Sequence, residues 1–438
     1  MKQVTNHIAR QVGESVQARI NALKVGQKMQ DLPEELWHES FRFYVKEDPT
    51  RVGGPNLRII RLDPARPSLT VTGYIFNKFV HPVENRYITP REAARLQGFP
   101  DEHEFVGTLT SVQLQVGNAV PVQLAQAATQ AVLEHLVKHE PLGLSKTRYK
   151  NHAFPALSLF SGAGGLDLGL EQARSGKARF VSKCAVEFND DCCKTLRHNF
   201  GERIHVVHAD IREVNPEKLV HSLGLEGGVL PLVIGGPPCQ AFSQAGKQEA
   251  TNDPRGNLIF EFLRFVRTLK PVYFVMENVF GLRGVEEGRL MRDILKQMDG
   301  LGYNVNHQLL HAVDYGAAQL RRRFFFIGVQ KPYPAVQMPL PTHGGDGGLF
   351  ASKPFATVGE AFAGLPPLSM RNGSTSYPVN GTEHAVLLDK PNPKAAKRKA
   401  KPVSYLKSKS AKKPHGQRKS KKAVANNVRR KKHAKPVN

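Results

Sequence analysis

Residues 156–329 predict an α/β protein built on an open, mostly parallel sheet, on three observations. Short apolar runs alternate there with amphipathic stretches, the pattern of strands joined by crossover helices. A glycine-rich turn, Phe160-Ser161-Gly162-Ala163-Gly164-Gly165, follows the first run directly. Acidic or reactive residues then end the successive runs, and an open α/β sheet carries its ligand outside the carboxyl ends of its strands.

Taken in order, "PALSLF" reads as the first strand and "LDLGLEQAR" as the helix after the glycine turn. "RFVSKCAVE" is a strand and "NDDCCKTLRHNF" a helix; "IHVVHADI" and "LPLVIGG" follow as strands. "NLIFEFLRFVRTLK" has apolar positions at helical spacing, and "PVYFVMENV" is the next strand. "YNVNHQLLHAVDYG" and "RRRFFFIGV" read as a closing pair of strands. Before residue 140 the chain differs. Its opening, "MKQVTNHIARQVGESVQARI", is a polar, amphipathic helix candidate without the apolar stretch of a signal peptide. Proline-punctuated segments follow, then the helix candidates "TPREAARLQGF" and "PVQLAQAATQAVLEHLVKH". "EPLGLSKTRYKNHAF" reads as a linker, and residues 331–389 are rich in Gly and Pro with one helical patch, "TVGEAFAGLPPL".

The 438 residues, 40% of them hydrophobic, suffice for one large domain or two ordinary ones, and no apolar run approaches a membrane span. The net charge of +24 is unevenly placed. From Lys390 to Asn438 there are 19 Lys and Arg and no Asp or Glu, leaving 43 basic against 38 acidic residues elsewhere. So basic a tail has too few apolar groups to repay the entropy of ordering, and is expected to be a solvated, disordered arm that touches nucleic acid. Four cysteines at positions 184, 192, 193 and 239 match neither a disulfide framework nor a zinc pattern, which points to a reducing cytoplasm and to no metal.

A glycine turn between strand and helix suits a nucleotide or an adenosine-bearing ligand, though it can be only a tight turn. Glu187, at the second strand end, suits ribose hydroxyls, and Asp210, at the third, an adenine amino group; singly, each acid is as readily a helix cap or a solvated end. The fourth strand ends in "IGGPPCQAFSQAGK", where Pro237 and Pro238 stiffen the turn that presents Cys239. A lone cysteine is usually a small buried hydrophobe, but Glu277 at the fifth strand end makes a nucleophile and an acid at one cleft. A buried Glu277 near another negative group would hold its proton more tightly, as a donor should. In "QLRRRFF", Arg321 and Arg323 alternate and so share one face of a strand, where they can hold a carboxylate, a phosphate or a base carbonyl.

Together, "FSGAGG", "PPCQAFS", "MENV" and "QLRRR", in this order and spacing, resemble the cytosine-5 DNA methyltransferases. The resemblance extends to "RYITPREAARLQGFPD" and "LQVGNAVP", which look like that family's last two motifs. In the family these close the chain; here they occupy residues 86–121, so the sequence resembles a circular permutant. Loop-closure entropy grows slowly with length, so joining neighbouring termini costs little. The resemblance implies a Rossmann-like S-adenosylmethionine-dependent methyltransferase fold, with a smaller target-recognition domain assembled from both chain ends. Residues 1–85 and 331–389 would form the recognition region, 86–140 the permuted motifs, 141–155 a linker, 156–330 the catalytic and cofactor domain, and 390–438 the basic tail.

As the resemblance implies, Cys239 adds to carbon 6 of cytosine, Glu277 serves ring nitrogen 3, and Arg323, with Arg321 nearby, holds the base. S-adenosyl-L-methionine donates the methyl group, held by Phe160, Gly162, Gly164, Glu187, Phe188, Asp210, Ile211, Pro238 and Asn118; Phe188 and Ile211 are equally readable as core residues. The partner is double-stranded DNA, with no membrane. The chain is expected to act as a monomer in a bacterial cytoplasm, associated with the nucleoid and beside a companion restriction endonuclease. Three rival readings remain: an RNA (tRNA) cytosine-5 methyltransferase, a non-catalytic DNA-binding protein on a methylase fold, and a nicotinamide oxidoreductase, which leaves the cysteine turn without a role.

Overall fold

The structure, a computed structural model, describes residues 4–47, 59–73, 78–144, 149, 151–225, 228–238, 258–344, 353–366 and 368. Cys239 and the basic tail from Lys390 lie outside the described residues. The chain starts with α1 (Glu14–Ala22), α2 (Glu39–Glu47) and a short parallel pair, β1 (Ile60–Arg61) and β2 (Phe79–Val80). The helix suggested by the opening residues begins only at Glu14. Before it, Asn6 has φ 57° and exchanges two side-chain hydrogen bonds with the Phe105 backbone, a tertiary pairing that overrides helical periodicity.

Next come α3 (Pro90–Leu96), α4 (Leu109–Asn118) and α5 (Val122–His139). Pro90 opens α3, and Thr89 and Glu92 cap it reciprocally: Glu92 N–H donates to Thr89 Oγ1 at 3.2 Å, and Thr89 N–H to Glu92 Oε2 at 2.7 Å. The core of the sheet follows as β3 (Ala153–Leu159), α6 (Gly165–Gln172), β4 (Arg174–Ser175), β5 (Ala178–Glu187), α7 (Asp190–Phe200), β6 (His205–His208), α8 (Pro216–Ser222) and β7 (Leu232–Gly235). It is completed by α9 (Leu258–Leu269), β8 (Tyr273–Val279), α10 (Arg289–Gly300), β9 (Tyr303–His311) and β10 (Arg322–Gln330), with α11 (Val358–Phe362) beyond it.

From one edge the main strands run β6, β5, β3, β7, β8, β10, β9, and β4 adds a short hairpin to β5. The five from β6 to β8 are parallel; β10 runs against both β8 and β9, so the expected closing pair is present. Because β5 lies on one side of β3 and β7 on the other, the crossovers diverge at β3. That divergence opens a crevice at the strands' carboxyl ends.

Both faces of the sheet are covered. Phe154, Ala156, Ile234, Val275, Phe325 and Ile327 pack under α5 and α6, while Leu157, Val233, Phe274, Met276 and Phe326 pack under α9 and α10. Ile259, Phe262, Leu263 and Val266 supply the α9 stripe at the i, i+3, i+4, i+7 spacing of an amphipathic helix. Helices α5 and α6 touch backbone to backbone: a Cβ on Gly169 would sit 2.6 Å from Val122 O, so only glycine fits. A third apolar cluster joins Ile20, Leu62, Phe79, Ile88, Leu96, Phe99 and Val112 to Val358 of α11. Backbone bonds from Val358 N to Arg66 O at 3.0 Å and from Gly359 N to Pro64 O at 2.9 Å tie the late segment to the early one. Among the described residues no helix is long and apolar enough to cross a membrane.

Candidate active site

At the crevice beside β3 lies a cleft of about 1040 Å³. Its floor is the glycine turn. Phe160 and Gly162 take left-handed backbone angles, φ 56° and 54°, and a Cβ on Gly162 would meet no atom within 4 Å, so the turn leaves open space for a ligand. Gly164, expected in the cleft, does a different job. At φ 86° its Cα faces Phe200, where a Cβ would sit 2.8 Å from the ring, so this glycine lets α7 pack behind the turn.

The acids lie at the predicted strand ends. Glu187 accepts from Gly162 N and Asn189 N, both at 2.8 Å, and so fixes the turn while bordering the cleft. Asp210 also borders it, but its carboxylate is held by the Arg212 guanidinium and backbone N–H; these bonds hold its pKa below the usual carboxylate value. Phe188 is 71% exposed on the cleft wall, hence not a core residue, whereas Ile211 is buried in the core and touches the cleft with one edge. An exposed aromatic ring, two carboxylates and an open glycine turn lining one cleft fit a ligand with a heteroaromatic base and a ribose. Asn118, the exposed last residue of α4, forms the opposite wall with Ala119 and Val120. That wall is pressed onto α6: a Cβ on Gly165 would lie 2.4 Å from Val120 O.

At the deep end stands Glu277 of β8, 7% exposed. In the antiparallel register Phe325 is opposite Glu277, so Arg323, two residues away, is its diagonal neighbour on the same face. Arg323 Nε reaches Glu277 Oε1 at 2.7 Å without the alignment of a hydrogen bond, and that oxygen is left without a hydrogen-bond partner. Burial raises the Glu277 pKa, against the pull of Arg323 and Arg321. The cause is therefore desolvation and not the neighbouring negative group expected from the sequence. Pro237, buried, and Pro238, exposed, lead past Glu277 toward Cys239. Asn278, to which sequence reasoning assigned no role, is 1% exposed and donates to Pro237 O at 3.0 Å, bracing that turn against β8. The "ENV" tripeptide was the signal that could have found it.

Arg321 does not join Arg323 at the cleft. It precedes β10, so strand alternation does not apply to it, and it is 1% exposed with Nη1 donating to Val71 O at 2.7 Å and Gly117 O at 3.0 Å. The guanidinium fastens the early segment behind the Asn118 wall. Gln319 extends the clasp, donating to Leu96 O at 2.8 Å and Gln97 Oε1 at 2.6 Å. Among the described residues no group of three or more His, Cys, Asp or Glu is placed to hold a metal.

The family model of the C-5 cytosine-specific DNA methylases matches residues 2–134 and 154–434. The Type II methyltransferase M.AquIA of Picosynechococcus is 38% identical over 226 residues, which cover 48% of this chain and 88% of that protein. M.FnuDI of Fusobacterium nucleatum, also a Type II methyltransferase, is 40% identical over 187 residues, 41% of this chain and 50% of that one. The chain thus spans half the length of M.FnuDI. A crystal structure of a DNA modification methyltransferase encoded within an E. coli prophage is 31% identical, covers 49% of this chain and 55% of that one, and has a TM-score of 0.37. With the family model matched over nearly its whole length, the chain belongs to the C-5 cytosine-specific DNA methylase family.

Proposed function

We propose that the chain methylates carbon 5 of cytosine at a specific site in duplex DNA, with the target base flipped out of the helix. The observation that carries this reading is the Glu277–Arg323 pair at the deep end of the cleft, beside the braced proline turn that leads to Cys239. Burial disfavours the charge of Glu277 and so favours its protonated form, and its carboxyl borders the cleft where it can serve ring nitrogen 3. Arg323 holds Glu277 and the base carbonyl together. The Cys239 thiolate adds to carbon 6, which makes carbon 5 nucleophilic. Carbon 5 takes the methyl group, leaving S-adenosylhomocysteine; it then gives its proton to solvent, the carbon–sulfur bond breaks to return the thiolate, and nitrogen 3 returns its proton to Glu277. These atoms are out of reach within a stacked duplex, so the base leaves the stack, at a cost of a few kcal/mol.

S-adenosylmethionine, when bound, supplies an electrophilic methyl group. Phe188 would stack on its adenine, Glu187 would take the ribose hydroxyls, and Asp210 and Ile211 would border the base edge. Phe160, Gly162, Pro238 and Asn118 would hold the remainder, all of them lining the cleft.

The chain is further read as a circular permutant. Support comes from the motif-bearing residues 86–121 preceding β3 while Asn118 and Val120 wall the same cleft as the glycine turn. The target-recognition region then draws on residues 1–85 and 331–389, and the backbone bonds of Val358 and Gly359 to residues 64 and 66 favour such a joint assembly. The Type II names of the relatives favour a modification enzyme that acts on DNA beside a companion endonuclease. The test is methyl transfer from labelled S-adenosylmethionine to plasmid duplex and, separately, to tRNA. Label in the duplex, mapped to 5-methylcytosine at one recurring site, is expected; label confined to tRNA overturns the substrate.

A further inference from the structure

Beneath the glycine turn lies an acid that the chemistry above does not use. Asp167, at the third position of α6, is fully buried against β3 and β5. Ser158 Oγ donates to its Oδ2 at 3.0 Å and Ser182 Oγ to its Oδ1 at 2.7 Å, and both serines are themselves fully buried. Ser161, which lines the cleft, has its Oγ 2.9 Å from Ser158 Oγ and 3.3 Å from Ser158 O.

Proton counting gives this chain a direction. A hydroxyl has one proton to donate, and an ionised carboxylate only accepts. Ser158 and Ser182 must therefore both aim their protons at Asp167. Ser158 is left with lone pairs toward Ser161, and either inward partner of Ser161, the hydroxyl or the carbonyl of Ser158, takes the Ser161 proton. What Ser161 then presents to the cleft is a lone pair.

We propose that Asp167 is a positioning residue of the cofactor site, which, by claiming the protons of Ser158 and Ser182, fixes Ser161 as a hydrogen-bond acceptor for a cationic donor in the cleft. S-adenosylmethionine carries such a donor in its amino-acid ammonium group, so the inference rests on the cofactor reading above.

The buried charge has a consequence in pH. Burial pushes the Asp167 pKa up to about 6, the two serine bonds oppose this, and Glu171 one turn along α6 adds to the rise. The Cys184 thiol of β5 is also within its field. Protonation turns one carboxyl oxygen into a donor, frees a serine proton, and lets Ser161 reverse. Cofactor affinity then falls as pH drops through about 6. Stability moves the other way. An acid whose folded pKa is raised contributes stability that is present below its unfolded value and lost as pH rises through the folded one. Asp167→Asn removes that loss, so at pH 8 this variant should melt no lower than the wild type.

The experiment measures calorimetric binding of S-adenosylmethionine and S-adenosylhomocysteine to the full chain from pH 5 to 8, in the wild type, Asp167→Asn, Ser161→Ala and the double variant, with melting temperatures. Each single variant should bind on the order of tenfold more weakly at pH 8. Both should lose the acid-side fall in affinity, and the double variant should bind no more weakly than either single one. Wild-type affinity and pH dependence in Asp167→Asn, additive losses in the double variant, or a melting temperature that falls together with affinity would each overturn the inference. Ser161→Ala tests the chain even where Asp167→Asn fails to fold. Absence of binding by the wild type would instead overturn the cofactor reading, and the inference with it.

Discussion

Glu277 and Glu92 are both buried carboxylates beside an arginine, and they belong to regions with opposite tasks. Glu92, in the early segment, is 1% exposed and saturated: Arg86 grips both its oxygens, at 2.7 and 2.9 Å, and Thr89 N–H donates to one of them. Arg86 is saturated in turn, with Glu84 on its Nε at 2.8 Å and Tyr87 O on Nη1 at 3.1 Å. At the strand ends, Glu277 meets Arg323 out of alignment and keeps an oxygen with no hydrogen bond. An unsatisfied polar atom is costly to bury, and native chains make few of them. The saturated pair holds segments together, whereas the Glu277–Arg323 pair is incomplete at a place where both residues line the cleft. Arg321 and Arg323 differ in place and not in saturation: Arg321 Nη1 is spent on two backbone carbonyls while its buried Nε has no hydrogen-bond partner, and Arg323, two residues later, borders the cleft.

Two substitutions test the contrast, the larger effect first. Glu277→Gln should lower methyl transfer on the order of 10²–10⁴-fold, because nitrogen 3 loses its proton donor. It should leave stability at pH 8 intact: a raised carboxyl pKa means that the charge costs folding free energy above it, and glutamine carries none. For the same reason, wild-type turnover should decline as pH rises through the raised Glu277 pKa, and a pH–rate profile reads that limb. A large loss of melting temperature with little loss of rate would break the comparison.

Arg86→Met should do the reverse. It strands Glu92 and Glu84 without their partner and should cost about 3–5 kcal/mol of stability in a urea titration. The rate per folded molecule should change little. If Arg86→Met abolishes turnover in protein that is still folded, the early segment does more than hold.

Much of this was legible in the residues themselves. The alternation of apolar runs with amphipathic stretches located the main sheet strands from Ala153 to Gln330, because a strand buried on both faces must be apolar at nearly every position, but it missed the two-residue β4, whose Arg174 was read as the end of a helix. The glycine turn, the acids at the strand ends and the proline turn could be read because each sits where a strand must stop. Four helices, α2, α4, α8 and α10, were not anticipated. Gly117 and a run of polar residues blur the periodicity of α4, which is fixed by Thr108 capping its first turn and by the close approach of Gly117 to Gly73. Arg321 was misjudged because alternation holds only inside a strand, and β10 starts one residue later. The Asp167–Ser158–Ser182 cluster was invisible for a related reason: its members are close only after β3, β5 and α6 have packed, and no local spacing encodes that.

The most direct test of the central claim is a duplex carrying 5-fluorocytosine at the methylated position, incubated with the protein and S-adenosylmethionine. Carbon 5 then has no proton to lose, so the reaction should stop at a covalent complex. Mass spectrometry of its peptides should find the methylated base on Cys239, and Cys239→Ala should give neither complex nor turnover. Methylation of normal duplex by Cys239→Ala, or a trapped base attached to any other residue, would contradict the account.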